Sequence, residues 1–175
     1  DYGNDQINAS LSLELMHRFL LIHDDIADND RVRYGKLNLF GLYENRFNKM
    51  FGKSFDNSQR YGTSVSMVSG DLNHNYAYEI LTNTKLKDHL KISLMKQLQK
   101  IIEITACGWR TEYENINKRV NEITEKEILS NVDLITSNYT TEGPLIYGAI
   151  LSENATPNDL KLLRNFAVPL GIAFQ

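Results

Sequence analysis

A helix-period apolar stripe that runs into four carboxylates constrains this chain more than any other feature. Ile7, Leu11, Leu15, Phe19, Ile22 and Ile26 recur at helical spacing, and Asp24, Asp25, Asp28 and Asp30 crowd the end of that run. The stripe is assigned to packing. With the helix carried through Asp28, Asp24 and Asp28 stand one turn apart on a shared face, which extends backwards through Leu21, Leu20, His17 and Leu13. That geometry predicts an apolar slot beneath a carboxylate mouth.

Such a mouth calls for a counter-charge. Two carboxylates about 5 Å apart repel by roughly 3 kcal/mol at an effective dielectric near 20. A helix C-terminus adds a further penalty of about 0.3–1 kcal/mol for an anion. A hard divalent cation removes both costs. Magnesium takes oxygen ligands, accepts one or two protein carboxylates and fills its shell with water and phosphate oxygens. Spacing alone leaves two outcomes open: Asp24, Asp25 and Asp28 hold magnesium that clamps a diphosphate, or they form a solvated acidic helix end.

Composition narrows the class. The 175 residues are 42% hydrophobic and 23% charged, as in an ordinary globular protein, and suffice for one good core. A net charge of −3 gives no basic field for nucleic acid. The lysines from Lys85 to Lys100 flank Leu86, Leu90, Leu94 and Leu98, which marks a solvated helix face. Cys107 is alone, so neither a disulfide framework nor a thiolate metal site is available. A lone thiol, a polar residue 1–10 stretch and the lack of an 18-residue apolar run predict a cytoplasmic protein without signal peptide or transmembrane helix.

Along the chain the expectation is one all-α unit, residues 1–175. Residues 29–38 read as a loop punctuated by Gly35, with a short helix to about Met50 and a connection over 52–58. A long helix from Ser58 to about Leu81 carries Val65, Val68, Leu72, Tyr76 and Ile80 on one side. Gly62 and Gly70 inside it predict close helix packing, since each costs about 1 kcal/mol against alanine. Thr84 is the expected N-cap of a helix to about Tyr113, and 114–121 a loop. Thr124 and Glu127 have capping-box spacing. A kink or break is expected over 136–141. Pro144 starts a helix to about Ser152, Thr156-Pro157 starts the last one, and Pro169 bends it.

The run Glu14-x-x-His17-x5-His23-Asp24-Asp25-x-x-Asp28, with Arg33 and Gly35 following, resembles the first aspartate-rich motif of the trans-prenyl diphosphate synthases. The resemblance continues at Gly70-Asp71-Leu72, at Thr136-x-x-Tyr139-Thr140 with Pro144 and Gly148-Ala149, and at Gly171-x-Ala173-Phe174-Gln175. It implies a bundle of long helices around a deep cavity, usually homodimeric. It implies a transferase that joins isopentenyl diphosphate to an allylic prenyl diphosphate in a magnesium-dependent ionisation and condensation. Asp24, Asp25 and Asp28 then match the first metal motif. Arg33 matches an allylic diphosphate ligand, with Thr136 and Tyr139 nearby. His17, Phe174 and Gln175 match positions on the isopentenyl side and the opposite helix. Phe19, five positions before the first aspartate, matches the cavity floor, and Asp24-x3-Asp28 without an insertion matches the pattern for a fifteen- to twenty-carbon product. Helix geometry instead puts Leu20 directly under Asp24.

The chain also departs from the pattern. Tyr34 replaces the second arginine of a pair, Leu37 a common proline, Ile135 a lysine, Trp109 a glutamine and Glu112 an aspartate. The family's upstream lysine and arginine would precede Asp1, and its second aspartate-rich motif would follow Gln175, so a segment of a longer protein is expected. These changes keep two alternatives in view: a non-catalytic paralogue that partners an active synthase, and a class I terpene cyclase. Glu14-x-x-His17 has di-iron spacing but no second copy.

Overall fold

The structure is a computed structural model that describes residues 3–175. It is almost wholly helical, as expected. The chain divides into two compact units, residues 7–84 and residues 85–175, the second including the first turn of the N-terminal helix.

The first unit holds α1 (Asn4–Ala27), a hairpin of two short strands, β1 (Val32–Arg33) and β2 (Lys36–Leu37), then α2 (Leu39–Phe51) and α3 (Phe55–Thr82). Its helices meet through small residues. A Cβ on Gly62 would lie 2.9 Å from the Phe40 ring of α2, and one on Gly70 would lie 2.5 Å from the His23 ring of α1. Both expected glycine contacts are therefore present. The apolar stripes are not where periodicity placed them. On α1, Ile7 and Leu11 are exposed, and Ala9, Ser12, Met16 and Leu20 are buried. On α3, Val68, Leu72 and Tyr76 are exposed, and Ser58, Gly62, Ser66, Gly70, Ala77 and Leu81 are buried. Close backbone approach selects the small-residue face, which a count of large apolar residues cannot find.

The second unit holds α4 (Asp88–Asn115), a 3₁₀ turn (Val120–Glu122), α5 (Glu125–Val132), a π-helical segment (Asp133–Glu142), α6 (Gly143–Leu151) and α7 (Pro157–Phe174). Leu90, Leu94, Leu98, Ile101, Ile146, Tyr147 and Ala167 form its core. The capping boxes at Thr124–Glu127 and Thr156–Asp159 are formed, and Pro144 and Pro157 sit in the first turns of their helices. Thr84 does not cap α4. Its hydroxyl donates to Leu81 O at 2.8 Å and closes α3, and α4 starts after Lys87. The expected break at 136–141 is a wide π turn that keeps the chain helical.

The π segment is a hydrogen-bonded polar seam. Asn138 Nδ2 donates to Ile101 O at 2.9 Å and to Thr105 Oγ1 at 3.2 Å. Ser137 Oγ donates to Val168 O, and Thr141 Oγ1 reaches Ala167 O at 2.9 Å. These carbonyls belong to α7 just before Pro169. Glycines let the neighbours in: a Cβ on Gly171 would stand 2.5 Å from Ser137 Cα, and one on Gly108 2.4 Å from Ile135 Cγ2.

Candidate functional site

The acidic end of α1 is built by a Schellman-type stop. Asp28 N–H donates to Asp24 O, Asn29 N–H to Ile26 O and Asp30 N–H to Asp25 O, with Asn29 in the left-handed region at φ 60°. Asp24 and Asp28 thus lie one turn apart at a helix C-terminus with no basic residue in its last turn. Burial raises the Asp24 carboxyl above its ordinary range. The Arg33 hydrogen bond and charge oppose that rise without cancelling it, and Asp25 and Asp30 add to it. Burial, then the charges of Asp24 and Asp30, raise Asp28 as well. The cluster carries the repulsion expected of it.

The loop after α1 returns a cation to this end. The strand pairs Val32–Leu37 and Arg33–Lys36 enclose a two-residue turn in which Tyr34 (φ 53°) and Gly35 (φ 72°) are both left-handed. This is the twist-matched type of hairpin turn, so the expected loop over 29–38 contains a short hairpin with Gly35 in its turn. Asn38 ties the hairpin to α2: its Oδ1 accepts from Gly41 N–H, and its Nδ2 donates to Asp30 O at 2.8 Å. Arg31 forks onto Glu44 with two 2.9 Å bonds. So placed, Arg33 donates from Nε to Asp25 Oδ1 at 2.8 Å and from Nη2 to Asp24 Oδ2 at 2.9 Å. Burial alone would lower the guanidinium; the bonds to Asp25 and Asp24 outweigh it and raise its pKa. Tyr34, at the tip, is 90% exposed.

Asp25 is buried on Arg33, while Asp28 is exposed. No group of three His, Cys, Asp or Glu side chains among the described residues converges to cage a metal. The donor set still suits a hard divalent cation, which takes one or two protein carboxylates and completes its shell elsewhere. Asp24 shares Arg33 with Asp25, and both it and Asp28 keep raised pKa values.

His17 is half-buried on the same helix. Burial lowers its imidazole below the ordinary range; Glu14 opposes this, and the charges of Arg18 and Arg33 reinforce it. Leu20 is buried at 2% exposure. Phe19 turns to α3, its ring 4.5 Å from that of His23 and 5.1 Å from that of His74. His74 is thus half-buried in a ring stack. His23 Nδ1 lies 3.1 Å from Phe19 O, and its Nε2 3.4 Å from Asp71 Oδ1.

In the second unit, Thr136 is buried and donates to Gln175 Oε1 at 2.9 Å, which brings two of the expected residues together. Tyr139 is half-buried and Phe174 is 73% exposed. A cavity of about 320 Å³ is lined by Glu112, Asn131, Ile135 and Gln175 among others. Two positions that depart from the prenyl synthase pattern, Glu112 and Ile135, therefore share one cavity with an expected site residue. Asn131 Oδ1 is buried without a hydrogen-bond partner. Sequence reasoning missed Asn131, which reads as one more polar residue in α5, and missed the pairing of His23 with Asp71, for which no local spacing exists.

Comparison with known proteins gives the family and the fold. The polyprenyl synthetase family model covers residues 2–175. A geranylgeranyl diphosphate synthase of Sulfolobus acidocaldarius is 28% identical over 95% of this chain and 44% of its own length. A farnesyl diphosphate synthase of Buchnera aphidicola is 26% identical over 95% of this chain and 54% of its own. The chain thus spans about half the length of the curated relatives it matches. A geranylgeranyl pyrophosphate synthase of Corynebacterium glutamicum, solved with isoprenyl diphosphate and magnesium, superposes with a TM-score of 0.85 at 23% identity. It covers 99% of this chain and 47% of the solved one, which establishes the all-α fold. None of this favours a partner subunit or a terpene cyclase. The chain belongs to the polyprenyl synthetase family.

Proposed function

We propose that this chain carries the first-motif half of a short-chain prenyl diphosphate synthase, which condenses isopentenyl diphosphate with an allylic diphosphate to a fifteen- to twenty-carbon product. The observation that carries this is the Asp24–Asp25–Arg33 arrangement at the end of α1, in a chain that matches the family from residue 2 to 175. Asp24 and Asp28 are the residues that would hold magnesium, with Asp25 anchoring Arg33 beside them. When bound, magnesium supplies positive charge to the departing diphosphate. Arg33 spends Nε and Nη2 on the carboxylates, so Nη1 is the nitrogen it offers to a diphosphate oxygen. His17, with a lowered pKa, serves as a neutral donor on the same helix. The family pattern gives Phe19, and helix geometry gives Leu20, the floor of a slot below Asp24, which would keep water from a carbocation. Within the second unit, Thr136, Tyr139, Phe174 and Gln175 are the residues that the family pattern gives to substrate binding. The protein acts in the cytoplasm as a homodimer, the usual state in the resembled family.

The test is an elongation assay on the intact protein. Labelled isopentenyl diphosphate and allylic diphosphates of five, ten and fifteen carbons are supplied with magnesium. A labelled prenyl diphosphate of fifteen or twenty carbons supports the proposal. No elongation with any primer, beside a control synthase that works, overturns it.

A further inference from the structure

We propose that His23, seated on Gly70 and paired with Asp71, is a positioning residue that fixes the rotation of the metal-bearing end of α1. This rests on the function proposed above and concerns a contact outside the substrate-facing residues. Leu20 is the last large apolar side chain that α1 buries. Beyond it, Ile22 lies beside His23 against Gly70, and the final turn is held sideways by two polar ties. One is Asp24 and Asp25 on Arg33, already part of the site. The other is His23, which reaches α3.

The second tie is specific in shape. A Cβ on Gly70 would stand 2.5 Å from His23 Cε1 and 2.7 Å from Nδ1, so only glycine leaves room for the ring. The Phe19 ring packs on it at 4.5 Å. Both ring nitrogens face acceptors, Phe19 O at 3.1 Å and Asp71 Oδ1 at 3.4 Å. Asp71 is 63% exposed at its side chain, so the pair contributes little to stability. Its consequence is geometric. His23 and Asp24 are adjacent, about 100° apart around the helix, so the direction of one sets that of the other. At a side-chain radius of about 5–6 Å, a rotation of about 10° moves a carboxylate by about 1 Å. That exceeds the tolerance of about 0.5 Å for a working site, and magnesium demands near-ideal geometry.

Manganese binding in the presence of inorganic diphosphate, followed by electron paramagnetic resonance on the full chain, tests this directly. The set is wild type, His23→Ala, Asp71→Ala, the double variant and Gly70→Ala, with thermal unfolding recorded for each. Asp71→Ala changes an exposed side chain and keeps the test valid where Gly70→Ala fails to fold. Each of His23→Ala and Asp71→Ala is expected to weaken manganese about tenfold. The double variant should be no weaker than either single one, because the two residues act as one link. Asp71→Ala should leave the unfolding temperature within about 4 °C of wild type. Unchanged manganese affinity in Asp71→Ala, or losses that add in the double variant, overturns the inference while the proposed function stands. A wild-type chain that binds no manganese overturns both.

Discussion

In residues 7–84 the polar groups that matter are charged and gathered at the end of a helix. In residues 85–175 they are neutral and threaded through a π-helical segment. The first set is under-compensated: burial and mutual repulsion raise Asp24 and Asp28 even with Arg33 beside them. The second is largely closed, with Ser137, Asn138 and Thr141 each bonded to a neighbouring helix. A segment that completes its own hydrogen bonds fixes helix packing. A segment that leaves charge over is the one that fits the proposed cation. The two kinds of site should respond in opposite directions to the same kind of mutation.

The largest effect falls on the aspartates. Asp24→Asn and Asp28→Asn are each expected to lower elongation activity by about a hundredfold or more, in the range seen when a charge-stabilising group is lost. Neither should lower the unfolding temperature, because each removes a carboxylate that the fold penalises. A parallel fall in both quantities would erase the contrast between the units. Next comes the seam. Gly171→Ala forces a methyl against Ser137 Cα, 2.5 Å away, and should cost about 2–3 kcal/mol in denaturant unfolding. Gly148→Ala, in α6 with nothing within 4 Å, should instead stabilise by up to about 1 kcal/mol. Asn138→Ala removes two buried donations and should cost about 1–2 kcal/mol.

The smallest effect is the pH dependence. Asp24 and Asp28 have raised pKa values, so the folded chain holds those protons more tightly than the unfolded one. Their contribution is fully present below the ordinary 3.8 and is lost as pH rises through the raised values. His17, lowered from 6.5, has the opposite slope: its contribution appears as pH rises from the lowered value to 6.5. Unfolding free energy against pH in wild type and in Asp28→Asn separates the two, since the substitution should flatten the acidic limb and leave the His17 limb intact.

Local signals carried the sequence far. Capping boxes and prolines act within one turn, and the starts of α5, α6 and α7 followed from Thr124, Pro144 and Thr156-Pro157. The Asp24–Asp28 spacing survived because Asp28, just past α1, still closes a helical bond onto Asp24 O. The packing faces of α1 and α3 did not survive, because close approach at Gly62 and Gly70 buries small residues that hydropathy counts ignore. The hairpin was hidden by Tyr34, a residue with no ordinary preference for the left-handed region. Partners across elements, such as His23 with Asp71 or Asn138 with Ile101, leave no trace in local spacing. The role of Ile135 needed its neighbour: its side chain lies over Gly108 and helps line the cavity that Glu112 and Gln175 also border.

The most direct measurement is the thermal unfolding of the wild-type chain, with and without magnesium and inorganic diphosphate together. A ligand at about a hundred times its dissociation constant stabilises by about 2.7 kcal/mol, so the unfolding temperature should rise by several degrees in wild type. The rise should vanish in Asp24→Asn and Asp28→Asn. An unfolding temperature that ignores magnesium and diphosphate, or that rises equally in all three proteins, would contradict the assignment of these aspartates as the metal-binding pair.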